Sequence, residues 1–372
     1  MSRTRDDDAC PGALQVHQAA DGALARIRLP GGMIAARQLE ALAHAAKDFA
    51  GGTLELTARG NLQLRGIRDA AAVADAVAAA GLLPSASHER VRNIVASPLS
   101  GRVGGLADVR PWVADLDRGL QSDPDLARLP GRFMFGLDDG TGDISGQRCD
   151  TGVHVLGERA ALLLAGRDTG VRLAFDEVVP ALLTVARRFV ERRGNAWRVA
   201  ELDDPSVLVS DFTGAAPGGA GYPPIGRPPV GWILQDDGLI ALGAAVPLGV
   251  LEARQALFVA AVDAPVVVTP WRSVLVCDLA EGVADTSLRV LAPLGLVFDE
   301  NSPWLRVTAC VGSPGCEKSR ADVRAEATRA VAEATATGQV HFVGCERACG
   351  SPPAGEVLVA SEDGYQRLQR PS

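Results

Sequence analysis

Hydrophobic and polar positions along the chain alternate with two different periods, and each change of period marks an element. Apolar residues recur at helical spacing over 33–49 and again over 250–262. Each of these predicted helices is preceded by an Asp-Gly turn (Asp21-Gly22 and Asp237-Gly238) and an apolar strand, 23–29 and 239–246. Each is followed by a β-branched strand, 53–57 and 266–269. The stretch between them predicts a strand at 132–138, a loop rich in Gly and Asp at 138–146, strands near 151–156 and 161–165, and an amphipathic helix over 175–193. Toward the C-terminus come a strand at 305–309, a helix over 319–335 rich in Ala, Arg and Glu, and a short strand at 340–343. One run alternates strictly. Arg59, Asn61, Gln63 and Arg65 share one face of a short strand, with Gly60, Leu62 and Leu64 on the other. Such a polar face either lines a pocket or meets solvent.

The two helix-containing stretches read as copies of one another. Pro30-Gly-Gly-Met-Ile-Ala-Ala-Arg-Gln38 aligns with Pro247-Leu-Gly-Val-Leu-Glu-Ala-Arg-Gln255 at an offset of 255 − 38 = 217 residues, and Pro, Gly, Ala, Arg and Gln coincide. The order turn, strand, Pro/Gly, helix, strand occurs twice, which favours duplication over chance. Segment 213–231 is dense in Gly and Pro, with Pro223-Pro224 and Pro228-Pro229, and reads as a linker joining two halves. The chain therefore reads as A–B–A′–B′, of α+β class.

Composition narrows the options. A chain of 372 residues exceeds what one core usually organises, so two or more domains are expected. Aromatics make up only 4% against 41 Gly and 23 Pro, which implies tight turns around a core of Ala, Val and Leu. The net charge of −8 argues against nucleic acid as the main partner. No apolar run reaches the roughly 18 residues of a membrane span. The polar start, with Arg3, Arg5 and three consecutive aspartates, lacks the apolar region of an export signal. A cytoplasmic, reducing compartment is expected.

Four of the seven cysteines form Cys310-Val-Gly-Ser-Pro-Gly-Cys316 and Cys345-Glu-Arg-Ala-Cys349. Four thiolates are the ligand set of a [4Fe–4S] cubane. A predicted strand ends just before each pair, so rigid elements can aim both loops at one point. Zinc prefers two to four residues between paired cysteines, and the first pair has five, outside that range. Zinc and inert or redox thiols remain the alternatives. Cys10, Cys149 and Cys277 stand alone and read as small hydrophobes or bystanders.

Further motifs carry a resemblance. Thr57-Ala-Arg-Gly-Asn-Leu-Gln-Leu-Arg-Gly66, Thr269-Pro-Trp-Arg-Ser273, Arg92-Asn-Ile-Val-Ala-Ser-Pro98 and Leu129-Pro-Gly-Arg-Phe133 resemble, in order, segments of the siroheme-dependent sulfite and nitrite reductase superfamily. The cysteine pairs fall where that family places its cluster ligands, and the similarity covers nearly the whole chain. It implies a pseudo-twofold, sulfite-reductase-like architecture: paired ferredoxin-like half-domains at 1–95 and 232–300, and α/β domains at 96–212 and 301–372, the latter carrying the cluster. It also implies that Cys310, Cys316, Cys345 and Cys349 hold a [4Fe–4S] cluster, with Cys349 bridging to haem iron in the siroheme enzymes.

The departures point to one branch. The family's substrate cations correspond here to Arg59, Arg92, Arg132 and Met134, and the last is a lysine in typical sulfite reductases. Loss of a cationic donor weakens the case for reducing a small oxyanion. The chain is also short, and it is most similar to the precorrin-3B synthase branch of the aerobic cobalamin pathway. That resemblance implies a monooxygenase, with precorrin-3A lying where siroheme lies in the reductases. There it would be hydroxylated with O2 and closed to a lactone, with electrons passing through the cluster. Arg59, Arg92 and Arg132 would be the catalytic arginines. Arg59, Asn61, Gln63, Arg65, Arg92, Asn93 and Arg132 would bind the tetrapyrrole, since guanidinium groups pair with carboxylates through two parallel hydrogen bonds. Members of this branch are associated with a non-haem iron, for which His341 is the best candidate outside the cysteines. The competing readings are a siroheme-dependent nitrite or sulfite reductase and a non-catalytic tetrapyrrole-binding electron carrier. Gly140-x-Gly142 is not a dinucleotide loop, because acidic residues crowd it and a strand follows. With no nicotinamide or flavin fingerprint, electrons are expected from a separate reductase or ferredoxin.

Overall fold

The computed structural model describes residues 10–336 and 338–368. The polar start of the chain lies outside them. They form two compact units. The repeat unit holds Ala13–Ile27, Met33–Leu82 and the chain from Gly226 onward, and so contains most of both copies together with the cysteine region. The intervening unit holds Arg28–Gly32, Leu83–Ile225 and the described residues up to Gly12. Residues 83–95, assigned from sequence to the first half-domain, therefore pack in the intervening unit. Among the described residues no helix is long and apolar enough to cross a membrane.

Within the repeat unit the two copies build two five-stranded antiparallel sheets. The first runs in the order His17–Ala19, Gly22–Ile27, Leu62–Ile67, Thr53–Leu56, Val250–Glu252. The second runs Gly231–Leu234, Ile240–Ala245, Ser273–Leu279, Val266–Val268, Met33–Ile34. Each sheet thus ends on a short strand donated by the other copy, with Leu251 opposite Leu54 and Val266 opposite Ile34. The helical pattern hid these two strands. The helices begin later than the periodicity predicts, at Ala36–Phe49 and Ala253–Ala260. Leu39, Leu42, Ala43 and Ala46 fall at helical spacing and are buried, and the two helices pack on each other.

The duplication extends to single hydrogen bonds. Gln38 accepts from the Ala35 amide at 3.0 Å and donates to the Ala80 carbonyl at 3.0 Å. Gln255 accepts from the Glu252 amide at 2.8 Å and donates to the Leu294 carbonyl at 2.7 Å. Thr57 and Thr269 each fold a turn in which the side-chain oxygen accepts from the amide four residues on, Asn61 or Ser273. Gly60 and Arg272 occupy the same left-handed position, with φ of 64° and 58°.

The cysteine region adds a four-stranded sheet, Val307–Ala309, Val340–Val343, Glu356–Ser361 and Gly364–Arg367. The first two pairings are parallel and the last is antiparallel. Helix Val323–Ala332 covers it through Val323, Ala327 and Ala330, which pack with Val307, Val340 and Phe342. The intervening unit carries another five-stranded sheet, Arg167–Leu173, Arg159–Leu164, Thr151–Leu156, Phe135–Asp138 and Ile94–Ala96, with helices Arg110–Ser122 and Val178–Arg192 packed together. The Gly/Pro segment read as a linker is partly pinned to this sheet, by bridges from Gly214 to Val171 and from Gly221 to Arg167.

Candidate cluster site and its polar surroundings

The two cysteine loops leave the ends of neighbouring parallel strands. Cys310 follows Val307–Ala309, and its amide donates to the Phe342 carbonyl at 2.9 Å. Its Sγ accepts from the Gly344 amide at 3.4 Å, just before Cys345. Backbone bonds from Ser313 to Ala321 and from Arg320 to Gly344 fold the intervening segment so that it meets the second loop. Two glycines make this approach possible. A Cβ on Gly312 would lie 2.7 Å from Val323 Cγ2, and one on Gly344 would lie 1.8 Å from Ser319 Oγ.

This folding gathers the four thiols. The Cys349 thiol is pushed up by partial burial and by the neighbouring Cys310, Cys345 and Cys316, against a lowering influence of Arg347. Four thiols carried by two loops that meet at the ends of neighbouring strands fit an iron–sulfur core, which would take Cys310, Cys316, Cys345 and Cys349 as thiolates. Of the lone cysteines, Cys149 and Cys277 are buried and Cys10 is half-buried.

The alternating polar run is not a solvent face. Asn61 and Gln63 are buried. Arg59 lies in the turn before the strand Leu62–Ile67, not on its face. Gln63 accepts from Arg26 at 2.8 Å and donates to Glu55 at 2.9 Å, and Glu55 also pairs with Arg324 of the covering helix. Arg65 bonds Asp21 through two nitrogens, at 2.9 and 2.7 Å, and gives a third bond to the Gly315 carbonyl of the first cysteine loop at 2.8 Å. Arg272 of the second copy bonds the Gly350 carbonyl beyond the second loop at 2.7 Å. Burial pushes its guanidinium down to about 10, with Glu55 and Cys310 opposing and Arg324 assisting, so it remains a cation at neutral pH. Two of the predicted tetrapyrrole residues, Gln63 and Arg65, are thus committed to protein partners around the cluster loops.

In the intervening unit Arg92 is buried and clamped by both oxygens of Asp117, at 2.6 and 2.8 Å. Asn93 is fully buried and donates to the Arg90 and Gly131 carbonyls. Arg132 is exposed, its guanidinium 5.2 Å from the centre of the Trp197 ring. Met134 is buried, and its amide donates to Asp150 at 2.9 Å. The missing cation is therefore replaced by an apolar side chain.

Sequence reading missed the aspartates of loop 138–146. Asp138, Asp139 and Asp143 place one oxygen each within 4.8 Å of the others. Burial would raise Asp138, but His154 and the Ser145 and Gly142 amides hold it at about 2. Burial pushes Asp143 up to about 7, reinforced by Asp138 and Asp139 against a hydrogen bond from Ser97. Asp138 accepts four backbone amides, from Gly140, Gly142, Ile144 and Ser145, so its lone pairs serve the loop itself. His341, the sequence candidate for a second iron, is fully buried with Nδ1 on Thr308 Oγ1 at 2.8 Å and Nε2 on the Cys349 carbonyl at 3.0 Å. With both nitrogens engaged, it does not serve as an iron ligand.

The chain is similar to known proteins in sequence and in fold. Residues 17–80 match the profile of the nitrite/sulfite reductase ferredoxin-like half domain. Over 96% of its length the chain is similar to precorrin-3B synthase of Sinorhizobium sp, at 30% identity and covering 81% of that protein. The chain belongs to the nitrite/sulfite reductase superfamily. Another relative, the ferredoxin–nitrite reductase of Synechococcus elongatus, is 25% identical over 90% of this chain and 75% of its own. The structure of the NirA protein of Mycobacterium tuberculosis has a similar fold, with a TM-score of 0.76 at 20% identity over 93% of this chain and 73% of its own. The half-domain profile falls on the first copy, and the hydrogen bonds of Gln255 and Thr269 reproduce that copy's backbone in the second.

Proposed function

We propose that this chain is a precorrin-3B synthase-type monooxygenase. It would hydroxylate precorrin-3A with O2 and form a lactone from an acetate side chain. One oxygen atom enters the substrate and the other leaves as water, consuming two electrons and two protons. The observation that carries this reading is the similarity to the Sinorhizobium precorrin-3B synthase along nearly the whole chain. A [4Fe–4S] cluster on Cys310, Cys316, Cys345 and Cys349 would relay single electrons from an external reductase or ferredoxin. Arg59 and Arg132 are the proposed carboxylate partners. Arg92 and Arg65 keep their bidentate aspartates and act by holding their own segments.

The second reading, a siroheme nitrite or sulfite reductase, draws on the Synechococcus and Mycobacterium relatives. Buried Met134 speaks against it, because an oxyanion at that position would lack a cationic donor. Incubating the reduced protein with precorrin-3A under 18O2 tests the proposal. One 18O per product molecule is the expected result, and reduction of nitrite or sulfite without precorrin turnover would replace it with the reductase reading.

A further inference from the structure

We infer that Arg272 and His341 are positioning residues for the second cysteine loop, acting by holding the consecutive carbonyls of Gly350 and Cys349. The inference rests on the cluster reading above. The loop needs outside support. Glu346, Arg347, Cys349 and Gly350 are exposed, and Ala348 and Gly350 sit at φ of 48° and 77°. Its internal bonds are short-range, from the Ala348 amide to Cys345 and from Ser351 to Ala348.

Two side chains tie this turn down from beneath. His341 Nε2 meets the Cys349 carbonyl at 3.0 Å. A carbonyl can only accept, so Nε2 carries a proton, and Nδ1 shares a hydrogen bond with Thr308 Oγ1 that fixes the ring. Arg272 donates to the Gly350 carbonyl at 2.7 Å. A Cβ on Gly350 would stand 2.5 Å from Arg272 Nη2 and 4.0 Å from His341 Cε1, so the turn rests on both side chains. The bond from His341 to the Cys349 carbonyl restrains the peptide that follows the cysteine, and with it the backbone that carries the thiol. Arg65 plays the matching part for the first loop through the Gly315 carbonyl.

The two supports differ in what they add. His341 contributes geometry, whereas Arg272 also contributes a positive charge beside Gly350, next to Cys349, which favours the more negative, reduced state of a cluster. The test is made on the full-length, cluster-loaded protein with the variants His341→Phe, His341→Gln, Arg272→Met and Arg272→Lys. Readouts are the redox potential, the electron paramagnetic resonance signal of the reduced cluster, and the rate of iron loss to a chelator. Arg272→Met should shift the potential to more negative values, and Arg272→Lys should restore most of that shift. His341→Phe should change the resonance line shape and speed iron loss roughly tenfold or more. His341→Gln, which keeps a donor, should rescue both. Wild-type protein without a cluster spectrum would sink the cluster reading itself. A normal wild-type cluster with unchanged potential and line shape in folded Arg272→Met and His341→Phe would overturn the positioning roles.

Discussion

The two copies in the repeat unit pair their central strands in the same register but put different chemistry at the same sites. In the first, Glu55 lies opposite Gln63 between the pairs Leu54/Leu64 and Leu56/Leu62. In the second, Val267 lies opposite Leu275 between Val266/Val276 and Val268/Val274. Two residues on, Arg65 corresponds to Cys277, so a polar run in one copy is a buried apolar run in the other. What both copies retain is backbone support, the bonds of Gln38 and Gln255 and the turns of Thr57 and Thr269. Duplication fixed the scaffold, and divergence assigned each copy its own cysteine loop, with Arg65 on the first and Arg272 on the second.

The largest effect should come from cutting one loop only. Cys316→Ala is expected to abolish the whole brown chromophore and the bound iron, although the loop tied to the second copy is untouched, because one cubane needs both pairs. Retention of half the iron would mean two independent metal sites. A smaller effect should follow from Glu55→Ala. It strips the carboxylate that neutralises Arg324 and accepts from Gln63, at a cost of about 3–5 kcal/mol in denaturant unfolding. Replacing both members with the second copy's residues, Glu55→Val with Gln63→Leu, should be less damaging than the single change when Arg324→Met is added. A triple variant as unstable as Glu55→Ala would show that the network has no apolar substitute. The smallest effects should come from Gln38→Ala and Gln255→Ala, each costing about 1–2 kcal/mol. Near-equal values would support conserved scaffolding, and a gap above about 1.5 kcal/mol would show that one copy no longer depends on it.

Much of this organisation was legible in the chain. Period and turn chemistry located the repeated helices, and the strand Val340–Val343 was placed residue for residue, because local apolar patterns decide such elements. The exchanged strands Met33–Ile34 and Val250–Glu252 were not legible, since their partners lie in the other copy and their residues also satisfy a helical pattern. Strand Arg167–Leu173 escaped because Arg167, Asp168, Thr169 and Gly170 open it with polar or small residues. At the candidate site, the two cysteine pairs stand out in the sequence by their spacing, whereas the contacts of Arg65 do not. Its carbonyl partner Gly315 is 250 positions away, and no alternation of polar residues separates a substrate arginine from a loop anchor.

The most direct test of the central reading is the optical spectrum of anaerobically purified protein, with iron, sulfide and extractable tetrapyrrole measured on the same sample. A broad cubane absorption without siroheme bands, and four iron and four sulfide per chain, at roughly those values, is the expected result. Siroheme at about one per chain would contradict it and return the protein to the nitrite and sulfite reductases.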